Sequence, residues 1–298
     1  MTHHHPHTDF SRAFATGVAL NILFVLAEAA FGILKGSLAL IADAGHNLGD
    51  VLGLLLAWGA SRLATRRPTE RRTYGLRRSS ILAATVNASL LLVAVGIIAT
   101  EAIERLLHPA EVAGGVLIAV AAVGVLINTL TAWLFRSGIR EDLNIRGAFL
   151  HMAADAAISL GVVLAGLLIL LTGRVWLDPA VSLVIALIIA LTTWRQLRRA
   201  LDLSLDAVPE EIDPARVRAF LCNQPGVTGA HDLHIWAMST SETALTIHLI
   251  MPDPPADDDW LARVSQELHE RFHIGHATIQ IEKGNGVQSC QLAPDYIV

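Results

Sequence analysis

The sequence predicts a membrane protein of the all-α kind: a six-helix transmembrane bundle followed by a cytoplasmic α+β domain. Three observations lead there. Long apolar runs recur through the first two-thirds of the chain. Basic residues collect in alternate connections between those runs. After about residue 205 the texture changes to short alternating segments. The 298 residues are 53% hydrophobic and only 16% charged, which is rich for a soluble chain.

A bilayer core needs about 20 apolar residues per helix. Six segments qualify, at roughly 13–34, 38–61, 79–106, 112–135, 145–172 and 175–197. The first is not a signal peptide, because it holds Asn21 and Glu28 and no small-residue cleavage site leads into a polar mature chain. The connections "SRLATRRPTERRTYGLRRSS" and "FRSGIREDLNIRGA", and "WRQLRRA" after the sixth span, carry the arginines. The other connections have few positive charges, so the basic ones are cytoplasmic. Both termini then lie in the cytoplasm, as an even number of spans requires.

Residues 1–12 form a His-rich cytoplasmic tail ("MTHHHPHTDF"), either a disordered polar segment or a loose metal trap. The transmembrane domain is expected over 13–204 and the cytoplasmic domain over 205–298. In the latter, "DPARVRAFLCNQ" has helical periodicity, "GVTGAHDLHIWAMS" and "ETALTIHLIMP" alternate like strands, "PPADDDWLARVSQELHERF" opens a helix on acids, and "ATIQIEK" is a further strand. The order α-β-β-α-β suggests a small layered domain of ferredoxin-like type, large enough to fold alone.

The net charge of −5 hides an asymmetry: 17 basic and 12 acidic residues in 1–200, against 5 and 15 in 201–298. An acidic tail domain disfavours nucleic acid and favours a cation as partner. The two cysteines, Cys222 and Cys290, form no CxxC pattern, which excludes a disulfide framework and a cysteine zinc finger. Cys222 reads as core packing.

The chemistry concentrates in "SLALIADAGHNLGDVLGLLLAWGA", residues 37–60. A charge at the centre of a bilayer helix costs roughly 2.5–3.5 kcal/mol on insertion scales, so such groups face protein or water. His46 and Asp50 are four apart and share a helix face, and Asp43 points nearly the same way. Gly45, Gly49 and Gly53 make a small-residue row, expected to let the fifth span approach. That span repeats the pattern in "GAFLHMAADAAISLGVV" with His151 and Asp155. One His-x-x-x-Asp pair is as readily a hydrogen bond as a metal site. Two matching pairs in separate spans make an N₂O₂ set for a divalent transition metal, with Zn²⁺ foremost and Cd²⁺ or Co²⁺ as alternatives. Asp43 is a residue beside the ligands or on the ion path, or simply a water-facing acid. Glu28 and Asn21 read as interhelical hydrogen-bonding residues.

No H-E-x-x-H motif is present, and four protein ligands would close the shell that catalytic zinc keeps open, so an enzyme is disfavoured. No G-x-x-x-x-G-K-[ST] loop is present, which leaves an ion gradient as the energy source. Metal needs neutral imidazole and ionised carboxylate, so protons compete for His46, Asp50, His151 and Asp155. The expectation is a proton-coupled secondary transporter that exports zinc by alternating access. A membrane-anchored zinc sensor without transport is the other reading of the same site.

The stretches "LNILFVLAEAAFGILKGSLALIADAGHNLGD", "YGLRRSSILAATVNA", "EAIERLLHPAEV", "GAFLHMAADAAISLG" and "HDLHIWAMSTSETALTIHL" together resemble the cation diffusion facilitator family, in its zinc-transporting branch, over nearly the whole chain. The resemblance implies a homodimer in the bacterial inner membrane, proton-coupled zinc export, and His46, Asp50, His151 and Asp155 as the transport site. It also implies additional zinc in the cytoplasmic domain. The matching positions are His231, His248 and Glu282, with His234 and His276 as weaker candidates. Ser79 or Ser80 stands where many relatives carry a glutamate, so a role of that acid in coupling or in a loop metal site is not carried over to this chain. The loop between the second and third spans has no His or Cys, and no metal site is expected there. No organic cofactor is implied.

Overall fold

The computed structural model describes residues 10–64, 66–108, 114–135, 143–255 and 257–284. The His-rich start and Cys290 lie outside the described residues, as do the side chains of Asn21, Asp50 and His151 and the surroundings of Gly53. Long helices come first: α1 (Phe10–Lys35), α2 (Leu38–Ala64), α3 (Ser79–Leu107), α4 (Gly114–Phe135), α5 (Leu143–Thr172) and α6 (Leu177–Ser204). A shorter set follows: α7 (Pro214–Cys222), β1 (Gly229–Ala237), β2 (Thr243–Ile250), α8 (Asp259–Phe272) and β3 (Ile274–Glu282). Among the described residues, four helices are long and apolar enough to cross a membrane: α3, α4 from Gly114 to Trp133, α5 from Met152 to Thr172, and α6. Helices α1 and α2 match them in length at 26 and 27 residues. Helix α6 runs seven residues past the expected 197, because "QLRRALDLS" continues as polar helix where the apolar stretch stops.

Two compact units make up the chain, one of residues 1–55 with 87–195 and one of 56–86 with 196–298. The core of the first joins Leu40 of α2, Val95 of α3, Leu117 of α4, Val162 of α5 and Ile189 of α6 around Ala39, Ala42 and Ala121. Its outer face is as apolar as its inside, with Leu34, Leu90, Leu171 and Leu187 all more than half exposed. Such a surface belongs in hydrocarbon, where packing rather than hydrophobic exclusion joins helices. Small residues supply that packing. A Cβ on Gly166 would lie 2.7 Å from Ile118 Cγ1 and 3.1 Å from the Gly114 carbonyl oxygen, so α4 and α5 meet backbone to backbone.

The α1–α2 turn is held from two sides. Gly36 takes φ 68°, the left-handed conformation that glycine adopts without strain. Its carbonyl accepts from Arg105 of α3. Asp178, fully buried at the start of α6, accepts from Ser37 Oγ at 2.7 Å, Leu38 N at 2.9 Å and Ala39 N at 3.3 Å. The free N–H groups of α2's first turn are thus capped by a carboxylate from another helix, favourable to the α2 dipole as well.

In the second unit the strand order is β1-β2-β3, with β1 antiparallel and β3 parallel to the central β2. Leu245, Ile247 and Leu249 of β2 face Val217 and Leu221 of α7 and Trp260, Val264 and Leu268 of α8. Asp213 caps α7, accepting from Ala215 N at 2.9 Å and Arg216 N at 3.3 Å, with Pro214 at the first helical position. The α8 residues recur every four positions, as an amphipathic helix requires. Strand alternation then sends Thr246 and His248 to the opposite face of the sheet. The α2–α3 connection is tied in the same unit: Arg77 pairs with Glu242 at 2.8 Å, Arg78 with Asp206, and Ser80 Oγ accepts from Thr240 N at 3.0 Å. Ser79 donates to the Ala60 carbonyl at 3.1 Å.

Asp178→Ala removes three hydrogen bonds from a dry site. The expected loss is at least about 2 kcal/mol, since each stranded buried donor costs roughly 1–3 kcal/mol. Hydrogen exchange of the amides at 38–40 in detergent should accelerate, and parent-like protection there would refute the cap.

Candidate metal centres

Helices α2 and α5 run antiparallel, because Asp43 meets Ser159 while His46, three residues later on α2, meets Asp155, four earlier on α5. His46 Nε2 lies 3.4 Å from Asp155 Oδ1. The Asp155 side chain is 2% exposed and that of His46 14%. One imidazole nitrogen and one carboxylate oxygen from different helices therefore converge inside the first unit. Asp50 follows His46 by one turn of α2 and His151 precedes Asp155 by one turn of α5, but their side chains lie outside the described residues. The structure thus joins one residue of each sequence pair.

Asp43 is fully buried. Its Oδ2 accepts from Ser159 Oγ at 2.9 Å, and its Oδ1 accepts from Asn47 Nδ2 at 3.5 Å. The alternative of a water-facing acid is thereby corrected: Asp43 has turned inward, where a hydroxyl of α5 receives it. The expectation for the glycine row is also corrected. A Cβ on Gly49 would lie 2.8 Å from Leu91 Cδ1 and one on Gly45 3.5 Å from Ile98 Cδ1, so both face α3 rather than the fifth span. Close approach to α5 comes instead from α4, where a Cβ on Gly124 would meet Phe24 at 2.6 Å and Ser159 Oγ at 3.1 Å.

The second cluster sits on the sheet. In the β1–β2 register His231 pairs with His248, and in the β2–β3 register Ile250 pairs with Glu282. These side chains occupy the face turned away from α7 and α8. His248 Nδ1 is 2.9 Å and His231 Nε2 3.6 Å from Glu282 Oε1. The imidazoles are 5.1 Å apart at 70°, and one ligand atom from each of the three residues falls within 4.8 Å of the others. Tetrahedral zinc with bonds of about 2.0–2.2 Å holds its ligand atoms roughly 3.4 Å apart. The donor set and its spacing therefore fit such an ion after small side-chain adjustments.

His234 and His276 are directed elsewhere. A bulge between His231 and His234 shifts the register, with Asp232 at φ 53°. His234 Nε2 turns to Asp232 Oδ1 at 2.7 Å, while Asp232 Oδ2 lies 3.5 Å from His248 Nε2. Asp232 thus faces two rings at once. A carboxylate on the far nitrogen of a metal-binding histidine fixes its tautomer and orientation. The sequence reading missed it, and "HDLH" held its one signal, an acid between two histidines that tolerates the left-handed conformation. His276 packs edge-on against Tyr74 with centroids 5.8 Å apart. Asp232→Gly should keep the bulge, since glycine accepts φ 53°, and release both rings. Histidine NMR signals of His234 and His248 should shift while β1–β2 amide protection stays; unshifted rings would refute the contact.

Residues 15–203 match the profile of the cation efflux transmembrane domain, and 209–284 match the cation efflux protein, cytoplasmic domain. Among curated proteins, the chain is 37% identical to zinc transporter ZitB of Escherichia coli, covering 95% of this chain and 93% of that protein. It is 36% identical to the metal cation efflux system protein CzcD of Cupriavidus metallidurans, over 94% and 89% of the two chains. It is 33% identical to the cadmium, cobalt and zinc/H(+)-K(+) antiporter of Bacillus subtilis, over 95% and 92%. The chain belongs to the cation efflux family and is an integral membrane protein.

Proposed function

We propose that this chain is a Zn²⁺/H⁺ antiporter that exports zinc from the cytoplasm and also accepts Cd²⁺ or Co²⁺. The observation that carries the reading is the meeting of His46 and Asp155 at 3.4 Å between α2 and α5, each followed or preceded by a matching Asp50 or His151 one turn along. Relatives named as zinc transporters and as a cadmium, cobalt and zinc antiporter support the cargo and the coupling. In this reading α1 to α6 are six spans with both termini cytoplasmic in a bacterial inner membrane, residues 13–204 forming the membrane domain. Residues 205–298 form a ferredoxin-like domain through which two copies pair as a homodimer. The α-β-β-α-β order and the name of the matched cytoplasmic profile support this arrangement.

His46, Asp50, His151 and Asp155 would receive the ion as N₂O₂ ligands. Metal takes deprotonated donors, so binding expels protons and loaded protons expel metal. Exposing the set alternately to the two sides by rocking of helices converts that competition into exchange. Asp43 holds the α5 face through Ser159 beside this set. In the cytoplasmic domain His231, His248 and Glu282 would hold a resident zinc, with Asp232 orienting His248. The function is transport, not catalysis.

The test is zinc flux into inverted vesicles under an imposed proton gradient. Asp155→Ala should lower flux by more than about 100-fold, given that loss of even an outer partner of a metal ligand costs roughly 10–100-fold. Parent-like flux would remove Asp155 from the site. Zinc affinity should tighten as pH rises, because fewer protons then occupy the ligands. Tight binding without any flux would favour the sensor. Separately, His248→Ala should lower the zinc bound per purified chain by about one while leaving flux measurable; unchanged metal content would remove the cytoplasmic site.

A further inference from the structure

Glu28 of α1 is fully buried, and neither carboxylate oxygen receives a hydrogen bond from any described donor. Its head faces the Asp43 carboxylate and the Asn47 side chain of α2. Two acids turned toward each other out of water strongly resist carrying charge together unless something positive lies close by. The surrounding atoms decide what that is. Asp43 already accepts from Ser159 and Asn47, so the remaining lone pairs are few. Hard metal cations want about six or more oxygens, and of the six held by two carboxylates, a hydroxyl and an amide, both Asp43 oxygens and the Ser159 hydroxyl are already engaged in hydrogen bonds. A proton needs only the two oxygens that face each other.

We propose that Glu28 and Asp43 share one exchangeable proton, forming a counter-ion site separate from the metal ligands. The inference rests on the transport reading of His46 and Asp155 and deepens it. Asp43 lies three residues from His46 on α2, and Ser159, which it engages, lies one turn from Asp155 on α5. A dication one helical turn away favours the doubly ionised pair. When zinc arrives the shared O–H bond breaks, both acids are left as carboxylates, and the proton passes to water. By linkage, a proton returning to the pair weakens zinc by the same factor.

The other charged groups near the pair are few. Among the described residues, His46 and Asp155 are the further charged groups that act on Asp43. Helix α4 contains no titratable residue. On α6 Asp178 is committed to the start of α2, and on α3 Glu101 and Arg105 pair with each other at 3.1 Å. On α1 Lys35 stands almost two turns beyond Glu28.

The test counts protons released as Zn²⁺ is titrated into purified full-length chain in weak buffer with a pH-indicating dye, all in the His248→Ala background. The chain with Glu28 intact should release about one more proton per zinc than Glu28→Gln; equal release would overturn the proposal. If Glu28→Gln fails to fold, infrared difference spectra of the unaltered chain serve instead. Zinc should abolish the carbonyl stretch of a protonated carboxylic acid, and an unchanged band would overturn the shared proton. Zinc affinity that depends on K⁺, and loses that dependence in Glu28→Gln, would assign the site to an alkali cation and overturn it too. Proton release is read without flux, so a chain that binds zinc but fails to transport refutes antiport while leaving this count to stand or fall by itself.

Discussion

An acid shut away from water inside a helix bundle must be met by a donor, a proton or a cation, and the buried acids of this chain meet that requirement in different ways. Asp178 is met by the backbone of α2. Asp43 is met by Ser159 and an amide of its own helix, and Asp155 lies against an imidazole. Glu28 faces another acid. The first of these is a matter of architecture, because backbone N–H groups cannot leave. The others are side-chain partners, which rotation of a single bond can withdraw. Helix α2 therefore lies between a backbone anchor at its start and a series of side-chain partners along its length.

The cytoplasmic sheet follows the same logic with different materials. Leucines and isoleucines on alternate positions of β2 are spent on α7 and α8, which leaves the other alternate positions for histidines and an acid. Because strand pairing sets His231 opposite His248, the imidazoles are neighbours by register rather than by long side-chain reach. Glu282 arrives from a parallel strand, so three separate segments contribute to one cluster. The bulge at Asp232 then bends β1 locally and aims an acid at the rear of His248.

Much of this was legible in the sequence. The two His-x-x-x-Asp pairs point to α2 and α5 as partners, and the structure brings His46 of one to 3.4 Å from Asp155 of the other. His231, His248 and Glu282 were named from the resemblance, and the register brings them together. What escaped was whatever depended on a partner far along the chain. Asp178 before Pro179 reads as the start of its own helix, and nothing local says that it ends another one 140 residues away. The direction of Gly45 and Gly49 could not be read either, since a small residue announces closeness without saying to whom. Asp232 hid inside an alternating strand pattern because a bulge breaks the alternation that would have placed it.

The capping of α2 by Asp178 also bears on how the protein is made. A ribosome delivers α2 long before α6, so the Leu38 and Ala39 amides have no Asp178 carboxylate to meet until the last long helix has been synthesised. A chain interrupted before Asp178 keeps the ligand-bearing helix but not its anchor. Completion of the bundle is thereby registered at the very helix that carries His46.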